Sequence, residues 1–263
     1  MQGGFFLILA VDVGNSNIVI GAYQNEILRF VARISSRRDI TKDELAVQLK
    51  GVLTIYNVVL SDIEGAIISS VVPQITMVLS NAIEWLTGRL PLIVGPGIKT
   101  GINILIDNPA QLGSDLLVAS VAAIAKYPKP IIIFDMGTAT KIIVINQQGS
   151  LLGGAIFPGV RIALDALCDS AALLQQVSID APKKVIGKNT QDSMKSGIVF
   201  GNASMIDGMI ERSEDELGMK CTIIGTGGLA EEICRHTKHE VIYNRDLLLD
   251  GLYLLYKKNV INA

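Results

Sequence analysis

Residues 11–28, VDVGNSNIVIGAYQNEIL, and residues 134–151, FDMGTATKIIVINQQGSL, share one pattern. Each is an apolar strand that ends in an aspartate, followed by a turn of small and polar residues and then by a second apolar strand. With a shift of 123 residues, Asp12 aligns with Asp135 without a gap, and so does the glycine two positions further on. One Asp-x-Gly turn is ordinary. Two in register predict a duplicated fold in which both turns have a role.

The segments around the two turns repeat one order of predicted elements. Residues 5–35 and 129–159 each read as three strands joined by short turns, and helices and further buried strands follow each triplet. An alanine-rich helix is predicted over residues 111–128, between the halves. We therefore predict an α/β fold of two ribonuclease-H-like domains, the actin-like ATPase architecture, with mixed five-stranded sheets flanking an interdomain cleft. The predicted domains are residues 1–112 and 113–263.

Composition and charge exclude several classes of protein. The net charge is −2 and the pI about 5.7, so no basic excess favours nucleic acid or an anionic membrane as partner. The mean hydropathy is high at +0.43, but polar residues, Gly and Pro break the longest uncharged runs, and the first residues lack the basic region of a signal peptide. We expect a cytoplasmic protein without membrane or nucleic-acid partners, whose surplus apolar surface lies in a homo-oligomer interface.

Histidine and cysteine are scarce. The two histidines, His236 and His239, lie near Cys234 at helical spacing and could bind a metal, but a solvated helix end is the simpler interpretation. Three scattered cysteines give neither a disulfide framework nor a CxxC metal motif. A Ser-His-Asp triad or a His₃ zinc site therefore has little to be built from.

The two turns are suited to a nucleotide. Small residues let backbone N–H groups approach phosphate oxygens, and Asn, Ser and Thr side chains add donors. Asp12 and Asp135, at strand ends, can hold a hydrated Mg²⁺ or a monovalent cation. Phosphoryl transfer needs charge neutralisation, alignment and a base. Residues 223–233, IIGTGGLAEEI, add a glycine-rich turn on which a planar base can pack, with a plain tight strand-to-helix turn as the alternative.

Asp115 is the candidate base. It lies in the first turn of a predicted helix, where the helix dipole favours a carboxylate. The alternative is an ordinary N-terminal helix acid, with Ser114 as the cap.

Six motifs, in order along nearly the whole chain, resemble those of the type III pantothenate kinases, which catalyse the first step of coenzyme A biosynthesis. They are DVGNSN (12–17), DNPAQLGSD (107–115), DMGTAT (135–140), GGAIFPG (153–159), IGKNTQDSMKSG (186–197) and GTGGLA (225–230). The resemblance implies ATP-dependent phosphorylation of pantothenate to 4'-phosphopantothenate, with Mg²⁺ accompanying ATP.

The resemblance also implies a role for each matching position. Asp115 would accept the proton of the pantothenate hydroxyl, Asp135 would bind a monovalent cation, K⁺ or NH₄⁺, and Thr138 would contact ATP. Family members are dimers with sites near the interface, so Thr190 would contact pantothenate within a homodimer. The residues that would bind the ATP phosphates are Asp12, Val13, Gly14, Asn15, Ser16, Asn17, Ile18 and Val19. Those that would form the pantothenate site are Ile106, Gly113, Ser114, Asp115, Leu116 and Thr190.

Four positions depart from the family pattern. Leu116 stands where Arg is usual, and Ile106 where Tyr is usual. Together these changes remove a charge-assisted contact to a carboxylate and a stacking wall, a loss of about a few kcal/mol if nothing replaces them. Ser114 stands where Ala is usual, and Lys141 where Thr is usual; Lys141 and Arg161 are candidates to replace the lost contact.

The altered pocket leaves two alternatives open. One is a non-catalytic regulator on the same fold, like the Baf-type transcription accessory factors, although such a protein needs no base. The other is a kinase for a different small hydroxylated substrate, such as a hydroxy acid or a sugar.

Overall fold

The computed structural model describes residues 7–261. The strands, numbered in chain order, are β1 (Leu7–Val13), β2 (Asn17–Gln24), β3 (Ile27–Ser35), β4 (Ile63–Ser70), β5 (Leu92–Ile93), β6 (Ile131–Met136), β7 (Ala139–Ile145), β8 (Leu151–Pro158), β9 (Thr222–Thr226) and β10 (Ile242–Tyr243). The helices are α1 (Lys42–Ile55), α2 (Pro73–Thr87), α3 (Ser114–Lys126), α4 (Val160–Ser170), α5 (Thr190–Leu217), α6 (Ala230–Cys234) and α7 (Leu247–Tyr256). Short helical turns cover Leu60–Asp62, Pro109–Gln111 and Lys257–Ile261.

Each half of the chain forms a five-stranded mixed sheet with one topology. The first sheet has the order β3-β2-β1-β4-β5 and the second the equivalent order β8-β7-β6-β9-β10. The strand that carries the aspartate as its penultimate residue, β1 or β6, lies at the centre of its sheet. It pairs antiparallel with the next strand in the chain and parallel with a later one. The predicted duplication and the mixed five-stranded sheets are confirmed.

Helices cover both faces of the first sheet because successive β1 residues are apolar and point to opposite faces. On one face, Leu9 and Val11 pack in a cluster with Leu49 of α1 and Leu79 of α2. Alternation places Asp12 on the other face, which is covered by α3 and α7.

The chain divides into two compact units at positions other than the predicted boundary between residues 112 and 113. Of the described residues, the first unit comprises 7–101, 110–122 and 248–261, and the second comprises 102–109 and 123–247. The C-terminal helix belongs to the first unit because its apolar residues pack against β1. Leu249, Leu252 and Leu255 of α7 lie in one buried cluster with Ile8 and Ala10 of β1.

The largest buried cluster of the second unit lies on one face of its sheet. Phe134 and Met136 of β6 pack with Leu164 of α4 and Val199 of α5. Because side chains alternate along a strand, Asp135 points to the opposite face. The long helix that the sequence predicts over 189–218 is confirmed as α5.

Two helices end earlier than the sequence predicts. The helix predicted to reach residue 177 ends at Ser170, where Ala171 adopts an extended conformation; Leu174 and Val177 still pack against the core, so their apolar character reflects burial. The helix predicted to reach residue 238 ends at Cys234. Beyond it, the backbone N–H of Lys238 donates to a carboxylate of α5 instead of to a helical carbonyl. Across residues 7–261, no helix is both long and apolar enough to span a bilayer.

Candidate functional site

The first turn closes on its own backbone and presents polar side chains. The backbone N–H of Gly14 donates to the carbonyl of Asn17 over 2.9 Å. Asn15, Ser16 and Asn17 are exposed, and Asp12 is half-buried just before them at the end of β1. The turn therefore offers amide and hydroxyl groups beside a carboxylate, as a phosphate and its metal require.

A pair of serines connects the position next to Asp12 with the start of α3. Ser69 of β4 pairs in register with Asp12, and its fully buried Oγ lies 3.1 Å from Oγ of Ser114. Ser114 donates its own proton to the carbonyl of Ser70 over 3.1 Å, so Ser69 donates to Ser114. The N-terminus of α3 is thereby anchored to the end of β4, one residue before Asp115.

Asp115 is buried at this anchored helix start. Its Oδ1 accepts a hydrogen bond from the backbone N–H of Leu116, the next residue, over 2.8 Å. A Cβ atom at Gly113 would lie 2.5 Å from the same Oδ1. Gly113 therefore leaves the space that the carboxylate occupies, and this explains a glycine there without any contact to substrate.

The structure places the other predicted substrate residues on separate elements. Leu116 is half-buried in the first turn of α3. Ile106 is half-buried in the second unit, where its Cγ2 lies 3.9 Å from the position that a Cβ of Gly153 would take. Thr190 is the exposed first residue of α5, which is capped by the side chain of Asn189. The first unit thus holds Asp12 and residues 113–116, and the second holds Ile106 and Thr190.

In the second unit, Asp135 is paired with a lysine. The β6–β7 ladder places Lys141 directly across from Asp135, and Nζ of Lys141 lies 2.9 Å from Oδ2 of Asp135. The two side chains are 18% and 11% exposed, respectively, so the ion pair is largely shielded from water. Sequence reasoning treated Lys141 as a departure from the family pattern and as a candidate to replace the lost substrate contact; its place across a tight turn from an aspartate was the signal that could have revealed the pair.

The second turn packs against neighbouring backbone where only glycine fits. Gly137 and Thr138 are exposed at its tip. A Cβ atom at Gly159, the residue before α4, would lie 2.1 Å from the carbonyl oxygen of Thr138. The backbone at the start of α4 thus holds the turn in place at a distance that no larger residue permits.

The glycine-rich turn after β9 has a structural explanation for one of its two central glycines. Gly227 has φ +97°, and a Cβ atom there would lie 2.6 Å from the carbonyl oxygen of Met136. A Cβ atom at Gly228 would meet nothing within 4 Å. The tight-turn alternative therefore explains Gly227, whereas Gly228 leaves space over the backbone that a planar base can use.

The histidines contact carboxylates. Nδ1 of His239 lies 2.8 Å from Oδ1 of Asp207, which also accepts from the backbone N–H groups of Lys238 and His239. Burial raises the pKa of Asp207, but these hydrogen bonds outweigh it and leave the pKa below its usual range. Burial raises the pKa of the Cys234 thiol to about 11. Within residues 7–261, no three His, Cys, Asp or Glu side chains form a group that could hold a metal ion.

A family model described as type III pantothenate kinase matches residues 8–212. This chain belongs to the type III pantothenate kinase family. A curated type III pantothenate kinase from Halalkalibacterium halodurans is 41% identical over 254 residues, which cover 97% of this chain and 100% of the relative. Another, from Geobacillus sp. (strain WCH70), is 42% identical over 254 residues, with 97% and 98% covered. The predicted family is confirmed.

Solved structures with lower identity share the fold of this type III pantothenate kinase family member. A Baf family transcriptional activator from Campylobacter jejuni has a TM-score of 0.60 at 19% identity, with 97% of this chain and 100% of that chain covered. MreB5 of Spiroplasma citri, bound to ADP, has a TM-score of 0.55 at 11% identity, with 99% and 100% covered. The predicted actin-like ATPase fold is confirmed. At these identities the likeness shows the fold alone.

Proposed function

We propose that this protein transfers the γ-phosphoryl group of ATP to the hydroxyl group of pantothenate, giving ADP and 4'-phosphopantothenate, and that Asp115 is the base. Membership of the type III pantothenate kinase family supports the reaction. The observation that carries the choice of base is the buried Asp115 carboxylate at a helix start that Ser114 anchors to the strand beside Asp12.

In the proposed step, Asp115 takes the proton of the pantothenate hydroxyl as its oxygen bonds to the γ-phosphorus. The bond between that phosphorus and the bridging oxygen breaks, and its electron pair leaves with ADP. The N–H of Leu116 holds Oδ1 of Asp115 and so fixes the orientation of the carboxylate. Orientation matters because a base acts only within hydrogen-bond reach of the proton it removes.

ATP is the proposed ligand of both turns. In the first unit, Asp12 to Val19 would contact the phosphates through backbone N–H groups and the exposed side chains of the turn, and in the second unit the exposed Thr138 would contact ATP. The carboxylate of Asp12 beside amide and hydroxyl oxygens is an oxygen donor set of the kind that suits Mg²⁺. Mg²⁺, when bound with ATP, supplies neutralisation of phosphate charge.

We include in this proposal a homodimer in the cytoplasm, where ATP is available as the phosphoryl donor. Thr190 is exposed at the start of α5 and would contact pantothenate within that dimer. The K⁺ or NH₄⁺ predicted at Asp135 is not part of this proposal, because the ammonium group of Lys141 lies 2.9 Å from that carboxylate.

The test is direct measurement of 4'-phosphopantothenate from ATP and pantothenate, with Asp115→Asn as the variant. Because a positioned base contributes about 10²–10⁴ in rate, we expect turnover to fall by about that factor while the melting temperature changes little. Asp169→Asn, which removes an exposed carboxylate of α4, is the matched control and should keep full activity. Wild-type turnover by Asp115→Asn would remove Asp115 from the role of base, and no pantothenate-dependent product from wild type would overturn the reaction.

A further inference from the structure

The carboxylate expected to bind a monovalent cation already has an ammonium group within hydrogen-bond distance. Nζ of Lys141 lies 2.9 Å from Oδ2 of Asp135, the separation of a charge-assisted hydrogen bond. Lys141 reaches this position through the register of the β6–β7 ladder, which pairs the two residues directly. Residues paired in this way project on the same face of a sheet, so the contact follows from the backbone and not from a chance side-chain conformation.

We propose that the ammonium group of Lys141 takes the place of the monovalent cation at Asp135, so that this protein needs neither K⁺ nor NH₄⁺ for turnover. The inference rests on the proposed kinase function. It concerns a residue that stands where the family pattern has Thr.

A tethered ammonium group has the properties that such a site requires. Like NH₄⁺, the Lys side chain ends in a compact charge with N–H donors. Because the group is held on β7, its effective concentration at Asp135 exceeds that of a free ion at millimolar levels. The pair is shielded on both sides, with exposures of 18% and 11%, so dissolved salt screens it less than a surface pair.

The residues around Asp135 predict that replacing Lys141 by threonine would create a cation site. Thr226 of β9 pairs in register with Asp135, and its buried Oγ1 has no hydrogen-bond partner within the described part of the chain. In Lys141→Thr, the carboxylate, this hydroxyl and the new threonine hydroxyl would supply oxygen donors in place of an ammonium group. Hard cations such as K⁺ take oxygen ligands, so the variant should acquire a cation site.

The first arm of the test measures turnover by separating product from substrate, in choline, sodium, potassium and ammonium chlorides at equal ionic strength. We expect the wild-type rate to vary by less than about twofold among the four salts, because screening is then equal. Lys141→Thr should lose about tenfold or more in choline, the effect of removing a preorganised charge, and K⁺ or NH₄⁺ should restore it. Lys141→Arg keeps the charge and should stay independent of the salt.

The matched control removes a lysine from a different buried carboxylate of the same unit. Nζ of Lys220 lies 2.6 Å from Oε2 of Glu214; the carboxylate is as shielded as Asp135, whereas the Lys220 side chain is exposed, so the match is in the carboxylate and the lost charge. Lys220→Thr should show no dependence on K⁺ or NH₄⁺, because the lost charge is not at the proposed cation position.

The second arm measures melting temperature without ATP or pantothenate, so it does not depend on catalysis. Lys141→Thr should melt at a higher temperature in K⁺ or NH₄⁺ than in choline, because a ligand that binds only the folded state stabilises it. Wild type should not distinguish these salts. The inference would be overturned if wild-type turnover depended on K⁺, or if K⁺ raised the melting temperature of wild type. It would also be overturned if Lys141→Thr folded and K⁺ changed neither its turnover nor its melting temperature. Absence of wild-type product in every salt would instead overturn the proposed function, and the melting arm would still decide the role of Lys141.

Discussion

Asp12 and Asp135 end equivalent strands, yet the residue across the ladder is Val19 for the first and Lys141 for the second. Four residues separate the last pair of the first hairpin, Val13 and Ile18, whereas three separate the last pair of the second. The gap-free sequence alignment of the two segments therefore does not match their pairing. A turn one residue shorter moves a lysine into the position opposite the acid, so register here depends on the turn and not on the repeat.

The surroundings of the two turns differ in the same way. Of the equivalent turn glycines, Gly14 is the more tightly placed: a Cβ atom there would lie 3.3 Å from the carbonyl oxygen of Asn17, whereas one at Gly137 would lie 3.8 Å from its nearest neighbour. At the second turn, Gly159 and Gly227 bring other backbone segments against the turn and the end of β6. The second turn is therefore held by backbone segments from elsewhere in the chain, at the start of α4 and after β9, whereas the close contact at Gly14 lies within the first turn itself.

The largest effect is expected from alanine at Gly159, the glycine that packs against the second turn, compared with alanine at Gly14 of the first turn. Gly159→Ala forces a Cβ atom to within 2.1 Å of a backbone oxygen, which cannot move without distorting the second turn. We expect a loss of about 3 kcal/mol or more in the free energy of unfolding, measured by urea denaturation. Gly14→Ala brings a Cβ atom to 3.3 Å from the carbonyl oxygen of Asn17, a contact that a shift of a few tenths of an ångström relieves, so we expect a loss of about 1 kcal/mol. Equal losses would show that the two turns are equally constrained and would break the comparison.

A smaller loss of stability is expected when Asp135, which forms an ion pair with Lys141 at the second turn, is replaced by a neutral residue. Asp135→Asn leaves the ammonium group of Lys141 shielded without its carboxylate, and we expect about 2–3 kcal/mol of destabilisation. Adding Lys141→Met removes the unpaired charge and should recover much of this loss. The double-mutant cycle in urea denaturation measures the coupling. Strictly additive effects would mean that the two side chains do not interact in solution.

The strands and the catalytic candidates could be predicted from the sequence because they depend on local patterns. Apolar runs that end at Asp12 and Asp135 predicted β1 and β6, and the position of Asp115 predicted a helix start. The family and the fold followed from motifs of the same kind, and both are confirmed.

What the sequence did not reveal depends on contacts between residues far apart in the chain. The early end of α6 reflects a carboxylate supplied by Asp207 of α5. The assignment of α7 to the first unit reflects apolar packing against β1, which lies at the opposite end of the sequence. The ion pair at Asp135 reflects a turn length that no composition rule fixes. In each case the local sequence pattern allowed the predicted structure. The observed helix end, unit assignment or ion pair depends instead on contacts that a short window of sequence does not show.

The smallest effect is expected at the support of Asp115, where the first unit uses hydroxyl groups in place of an ion pair. Ser114→Ala removes the bond to the carbonyl of Ser70 and leaves the buried hydroxyl of Ser69 without its acceptor. Because a buried hydroxyl left without its acceptor costs about 1–3 kcal/mol, we expect a loss near the lower end of that range in urea denaturation, with Ser170→Ala at the exposed end of α4 as the neutral control. Asp115 keeps its own bond to the N–H of Leu116, so kcat should fall only severalfold, far less than in Asp115→Asn. A fall in kcat as large as that of Asp115→Asn would mean that the serine pair positions the base. The Asp115 carboxylate of the first unit would then be held as tightly as the Asp135 carboxylate of the second.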